Sequence, residues 1–273
     1  MRKTFANTKR RWVTSNLIRP NRPGRVRLME IENISGVDLT NDCIVVDNPF
    51  GCVTYFKNDE HMAKQLADNL IFEQEYILNV LSPYVCSASV IVDVGAHVGS
   101  HTVMYKTLNP EATVHAFEPQ KMLYKLLCYN VNKNNLQNVY TYNNAVGEGN
   151  YIAQMNPYST DGENNMQPVE YGTSTMYNLA GVQIGAGGED VTVVSLDTFR
   201  IPSCDFMKID VEGYEPNVLL GAREMIMNSR PVISFEVNGK KSPNIEESSI
   251  SILEGMGYDC HNPWPDNWLA IPK

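Results

Sequence analysis

The sequence predicts a doubly wound α/β sheet behind a small N-terminal β/helical cover. Two observations carry that prediction. The run Val90 to Val94 (VIVDV) is β-branched and apolar and ends in glycines, as expected of a central parallel strand covered on both faces. From there to the C-terminus strand-like and helix-like segments alternate, which implies parallel strands joined by right-handed crossovers.

Taken in order, Asp42 to Lys57 contains CIVVDNPFGCVTYF, two short strands about a Pro-Phe-Gly turn. His61 to Leu81 carries apolar residues at helical spacing, with Pro83 as a stop signal. After Val90 to Val94 a helix should begin near Gly99. Thr113 to Phe117 is the second strand, Lys121 to Asn132 a helix, and Val139 to Asn143 the third strand. Phe206 to Val211 and Val232 to Val237 are two more strands, separated by a helix over Glu215 to Met227. A helix over Ile245 to Met256 precedes final strands around Tyr258 and Trp268 to Ile271. Residues 150–189, rich in Gly, Asn, Ser and Thr, break the rhythm and read as a binding loop or lid, or as a surface hairpin. The predicted organisation is a basic arm (1–35), a hairpin and helix cover (36–85) and a main domain (86–273) with a 150–189 insertion.

No apolar run reaches the ~18 residues of a membrane span, and the basic N-terminus lacks an apolar stretch behind it, so secretion and membrane insertion are disfavoured. The six cysteines are widely spaced, with no C-x-x-C pair, and read as reduced thiols of a cytoplasmic protein. Charge is unevenly placed: nine of the 22 Lys and Arg precede Glu30, the first acid, leaving 13 bases against 31 acids in the rest. A basic arm before an acidic globule would bind nucleic acid, an anionic surface or an acidic partner, or is simply a tail.

The turn Asp93-Val-Gly95-Ala-His97-Val-Gly99 stands at the carboxyl end of the first main-domain strand, where such sheets bind nucleotide cofactors. Gly95 permits the tight turn and Gly99 a close approach of the next helix. The middle glycine of the dinucleotide fingerprint is missing, and an acid stands two residues before the first glycine. A pyrophosphate needs bare N–H groups, whereas a cofactor bearing ammonium and sulfonium charges tolerates a carboxylate. Asp93 therefore favours S-adenosylmethionine (SAM) over NAD. At the end of the second strand, Glu118 is placed to accept hydrogen bonds from ribose hydroxyls. At the end of the third, Asn144 and Ala145 offer groups at the level of an adenine edge.

Together VIVDVGAHVGSHT, VHAFEPQ, NNAVG, VSLDTF, FMKIDVEGYEPNVLLGA and RPVISFEVN resemble, in order and spacing, the FkbM family of SAM-dependent methyltransferases. The resemblance covers about Glu73 to Asn238 and leaves the arm unexplained. It implies the Rossmann-like class I methyltransferase sheet, mostly parallel with an antiparallel last strand, and methylation of hydroxyls, often on sugars. It also implies that Gly95 and Gly99 flank the methionine part of the cofactor, that Glu118 holds its ribose and that Asn144 lies near adenine. His97 departs from the Asn usual in the family.

In Lys208-Ile-Asp210-Val-Glu212, alternation places Lys208, Asp210 and Glu212 on one side while the strand remains extended. With Glu236 they form an acid-base cluster at the ends of two strands. Asp210 is the first choice of general base, then Glu212 or Glu236, and Lys208 would orient the carboxylate, stabilise an alkoxide or pin the strand end in an ion pair with Glu212. Metal-free transfer is expected, and Mg²⁺ held by Asp210, Glu236 and Asn238 is the alternative. The expected function is O-methylation of a sugar, glycan or glycosylated small molecule. The alternatives are RNA ribose 2'-O-methylation with the arm as a phosphate tether, a non-catalytic SAM-binding interaction module, and an NAD-dependent dehydrogenase.

Overall fold

A computed structural model describes residues 34, 36–66, 69–199, 201–237 and 243–273. Residues 1–33 and 35 of the basic arm, and Asn238, lie outside the described residues. The chain first forms the predicted antiparallel hairpin, β1 (Cys43–Asn48) and β2 (Gly51–Phe56), turning at Pro49 and Phe50. The single helix predicted over 61–81 is instead four pieces: α1 (Glu60–Leu66), α2 (Gln74–Tyr76), a π turn (Ile77–Leu81) and α3 (Ser82–Val85). Pro83 opens α3 rather than ending a helix, because a first-turn residue needs no N–H donor. The π turn absorbs the mismatch: Ser82 N–H bonds Ile77 O, and the Ser82 hydroxyl takes up Leu78 O.

The main domain runs β3 (Val90–Val94), α4 (Ser100–Leu108), β4 (Thr113–Phe117), α5 (Lys121–Lys133) and β5 (Val139–Tyr142), all as predicted within a residue or two at their ends. Next come β6 (Ala145–Val146), β7 (Tyr151–Ser159), β8 (Val182–Gly185) and β9 (Asp190–Val194). The chain closes with β10 (Phe206–Ile209), α6 (Glu215–Gly221), α7 (Arg223–Ser229), β11 (Val232–Glu236), α8 (Pro243–Gly255), β12 (Tyr258–Trp264) and β13 (Asn267–Pro272). The helix predicted over 215–227 is broken at Ala222. A Cβ on Gly221 would stand 1.7 Å from Gly147 O, so the end of α6 lies against the chain after β6.

Seven strands form one sheet in the order β12-β13-β11-β10-β3-β4-β5, with only β13 antiparallel to its neighbours. Strand order reverses between β3 and β10, and ligand crevices of open α/β sheets lie at such a point, outside the carboxyl ends. Both faces are covered. Ile91, Val114 and Phe206 pack with α4, α5 and the hairpin, while Val92, Phe117, Met207 and Phe235 pack with α6, α7 and α8.

The predicted insertion is not a loop throughout. Strands β7, β8 and β9 join β6 in a four-stranded second sheet, and only residues 160–181 wander. The hairpin is fastened by two asparagines four residues apart, Asn130 on α5 and Asn134 at its C-cap. The Asn130 amide takes the N–H of Thr54 at 2.8 Å and donates to its C=O at 2.9 Å, and Asn134 does the same for Cys52 at 2.9 and 2.6 Å. These side chains stand in for a neighbouring strand along the β2 edge. All six cysteines are free, and among the described residues no helix is long and apolar enough to cross a membrane.

Candidate active site

An open cleft of about 600 Å³ lies at the strand reversal. Its floor is the turn after β3. Gly95 holds φ +78°, and a Cβ there would fall 1.8 Å from Asp210 O, so the turn can lie against the end of β10 only as glycine. Gly99 caps α4 and faces Leu127, outside the cleft lining. His97 adopts φ +53° and directs its backbone N–H to Glu118 Oε2 at 2.9 Å.

Glu118 is buried, and its second oxygen accepts the Gln120 N–H at 2.8 Å. Burial pushes its carboxyl up to about 7, against the lowering influence of His97 and those two N–H groups. Each carboxylate oxygen can accept two hydrogen bonds, so both retain acceptor capacity toward the cleft. Asn144 and Ala145 also line it, and the Asn144 amide donates to Thr192 O at 3.2 Å. The opposite wall comes from the insertion: Met155, Val182 and Ile184 give an apolar face. Gln120 ties that wall down, accepting from the Tyr171 hydroxyl at 2.9 Å and donating to Leu179 O at 3.1 Å.

Asp93 does not line the cleft. It is fully buried, accepting from the Thr102 hydroxyl at 2.6 Å, with its other oxygen 3.7 Å from Lys208 Nζ. Lys208 is buried too, donates to Gly95 O at 2.6 Å and lies 3.1 Å from Asp210 Oδ2. Burial alone would lower the Lys208 pKa, but Asp210 and Asp93 raise it, so the ammonium is a fixed cation joining the ends of β3 and β10. Its partners are these two aspartates; the predicted pairing with Glu212 is not the one formed.

Alternation does not carry Glu212 along with Lys208 and Asp210, because β10 stops at Ile209 and Glu212 sits at φ +57° in a tight turn. Glu215, which sequence reasoning missed, organises that turn: its Oε1 accepts the N–H groups of Val211 and Gly213 at 3.2 and 3.1 Å. Asp210 and Glu212 line the cleft and the Asp210 side chain is 23% exposed, whereas Glu236 stands outside the lining. Burial holds the Glu236 carboxyl well above the usual range, with the charges of Asp210, Glu73 and Glu212 acting the same way. Among the described residues no group of three or more His, Cys, Asp and Glu is arranged to hold a metal ion.

A Rossmann-like sheet of this order, with an acid after β4 and a cleft at the strand reversal, defines a class I methyltransferase fold. The methyltransferase FkbM domain model matches residues 93–260, well over half of the chain, and the chain belongs to that family of SAM-dependent methyltransferases. No curated protein matches it. Among solved structures it is similar to an FkbM methyltransferase from Methylobacillus flagellatus KT, with 17% identity, 67% of this chain and 43% of that chain covered, and a TM-score of 0.46. It is also similar to a putative O-methyltransferase from Klebsiella pneumoniae, with 14% identity, 79% and 90% covered, and a TM-score of 0.47. The chain thus spans less than half the length of the Methylobacillus protein.

The cleft fits SAM by the chemistry of its groups. A buried carboxylate with acceptor capacity suits a ribose diol, an apolar wall suits an adenine face, and the acids Glu118, Asp210 and Glu212 suit a sulfonium.

Proposed function

We propose that the chain is an O-methyltransferase acting on a hydroxyl of a sugar, a glycan or a glycosylated small molecule. Gly95, His97, Glu118, Asn144 and Ala145 would hold SAM, which supplies a methyl group on a good leaving group. Asp93 and Gly99 would serve the same site from beneath, through Thr102 and Lys208 and through the cap of α4.

The observation that carries the reading is the placing of Asp210, a partly exposed carboxylate on the cleft wall fixed by a buried Lys208. An acceptor hydroxyl hydrogen-bonded to Asp210 gives up its proton there as its oxygen attacks. Lys208 is held by Gly95 O and two aspartates, so its work is to orient Asp210. Glu212 accepts from a neighbouring hydroxyl, which favours a polyhydroxylated acceptor. Glu236 stands outside the cleft lining, so it does not serve as a second base. Holding the reactants in attack geometry supplies roughly 7–11 kcal/mol, whereas a positioned base adds about 10²–10⁴-fold. Positioning dominates.

The test is mass spectrometry across a panel of glycans and glycosylated metabolites with SAM, using Asp210→Asn as control. A gain of one methyl on a sugar hydroxyl that the variant makes far more slowly supports the proposal. Methylation confined to RNA, or an Asp210→Asn variant as fast as wild type, counts against it.

A further inference from the structure

Asp59 lies outside the segment that matches the family, at the end of the N-terminal hairpin, yet it reaches the cofactor turn. It is almost fully buried. Its Oδ1 caps α1 by accepting the N–H groups of His61 and Met62 at 3.2 and 3.4 Å. Its Oδ2 stands 3.2 Å from His97 Nε2. That pair is an ion-pair approach: neither His97 ring nitrogen nor Asp59 Oδ2 completes a hydrogen bond among the described residues, and Nδ1, unlike Nε2, has no carboxylate set against it, while His97 lines the cleft. The carboxylates facing this imidazole are Asp59 from the cover, Glu118 after β4 and Asp210 after β10. Burial would lower its pKa, but the contact with Asp59 and the charges of all three carboxylates raise it overall.

Asp59 is itself well anchored. Its neighbour Asn58 donates to Glu170 O at 2.7 Å and Thr175 O at 3.0 Å, and Glu60 N–H bonds Tyr177 O at 2.8 Å. Cover, insertion and cofactor turn therefore meet at one point. In an imidazolium both nitrogens donate. One faces Asp59; the other needs an acceptor that the described residues do not provide.

We infer that Asp59 is a positioning residue for the cofactor, holding His97 so that its Nδ1 N–H meets the carboxylate of the amino-acid portion of SAM. This rests on the SAM reading above and adds to it a residue from outside the matched domain. It makes cofactor affinity depend on the protonation of His97, with an alkaline limb where the imidazole loses its proton.

The experiment is calorimetric titration of the full chain with S-adenosylhomocysteine and with 5'-methylthioadenosine across pH, with an NMR titration of the His97 ring in ligand-free protein. His97→Asn is the main variant, since Asn tolerates the left-handed backbone at this position. Losing a charge-assisted hydrogen bond should weaken S-adenosylhomocysteine roughly ten- to hundredfold at neutral pH and remove the alkaline limb. 5'-Methylthioadenosine, which lacks the amino-acid portion, should bind wild type and variant equally, and this also reports an intact fold. Asp59→Asn should lower the His97 pKa and move the alkaline limb to lower pH. Glu118, which burial pushes up to about 7, shapes the acid limb, and that limb moves to higher pH in His97→Asn, which lacks the imidazolium that lowers the Glu118 carboxyl. An alkaline limb that persists in His97→Asn, or an equal loss with 5'-methylthioadenosine, overturns the inference while leaving the SAM reading intact. Failure of wild type to bind either nucleoside overturns both.

Discussion

Burial raises the Glu118 carboxyl from 4.5 to about 7 and does the same to Glu215, whose Oε1 accepts two backbone N–H groups. The sign of the linkage follows directly. Between these values the folded state holds protons that the unfolded state has released, so stability falls as pH rises from about 4.5 to about 7. His97, whose pKa is also raised, loses its stabilising proton in the same direction. The melting temperature of ligand-free protein is expected to decline over this window, and Glu118→Gln or Glu215→Gln should each flatten the decline. Glu118→Gln should also weaken S-adenosylhomocysteine about tenfold or more, as loss of a charged acceptor does. Asp210→Asn should lower kcat by about 10²–10⁴-fold, the range of a positioned base. The place of Glu118 on the cleft was legible in the sequence because it directly follows a recognisable second strand. Asp59 and Glu215 were not: Asp59 meets His97 across 38 residues of chain, and Glu215 reads as an ordinary first-turn helix acid.

At the scale of elements, period and length decided what could be read. Strands β3, β4 and β10 are short apolar runs buried on both faces, and the sequence announces them. Strands β7 and β8 do not announce themselves, because β7 is largely exposed, contains Pro157 and is irregular in its pairing with β8 between Met155 and Ser159. The insertion therefore reads as a loop, a lid or a surface hairpin, and its place in a four-stranded sheet that walls the cleft does not show in the sequence. Alternation failed past Ile209 for a related reason: it holds only while backbone remains extended, and the β10 strand ends there. The turn after β3 makes the sharpest prediction at this scale. A Gly95→Ala variant places a methyl 1.8 Å from Asp210 O at φ +78°. It should lose more than about 1 kcal/mol of stability in denaturant unfolding and most of its S-adenosylhomocysteine binding. A variant of unchanged midpoint and affinity would show that the turn is not held against β10.

For the whole molecule, alternation implies a doubly wound sheet and the family resemblance an antiparallel last strand, but the seven-stranded order and the fastening of the cover through Asn130 and Asn134 required the structure. Charge separates the candidate acceptors. Nine bases precede Glu30, while the remainder carries 31 acids against 13 bases. Deleting residues 1–27 should leave sugar methylation and S-adenosylhomocysteine affinity unchanged, whereas a collapse of activity with steep salt dependence would point to a nucleic-acid acceptor. Activity is also expected to survive EDTA; loss with recovery on adding Mg²⁺ would replace the base-only account with a metal-assisted one.

The central claim is that the cleft between Gly95, Glu118 and the insertion wall is a SAM site, and a crystal structure with S-adenosylhomocysteine tests it most directly. The expected result is the nucleoside in that cleft, its ribose hydroxyls within hydrogen-bonding distance of Glu118 and its adenine against Val182 and Ile184. A saturated crystal in which the ligand lies elsewhere, or in which Glu118 makes no contact with the ribose, would contradict the account.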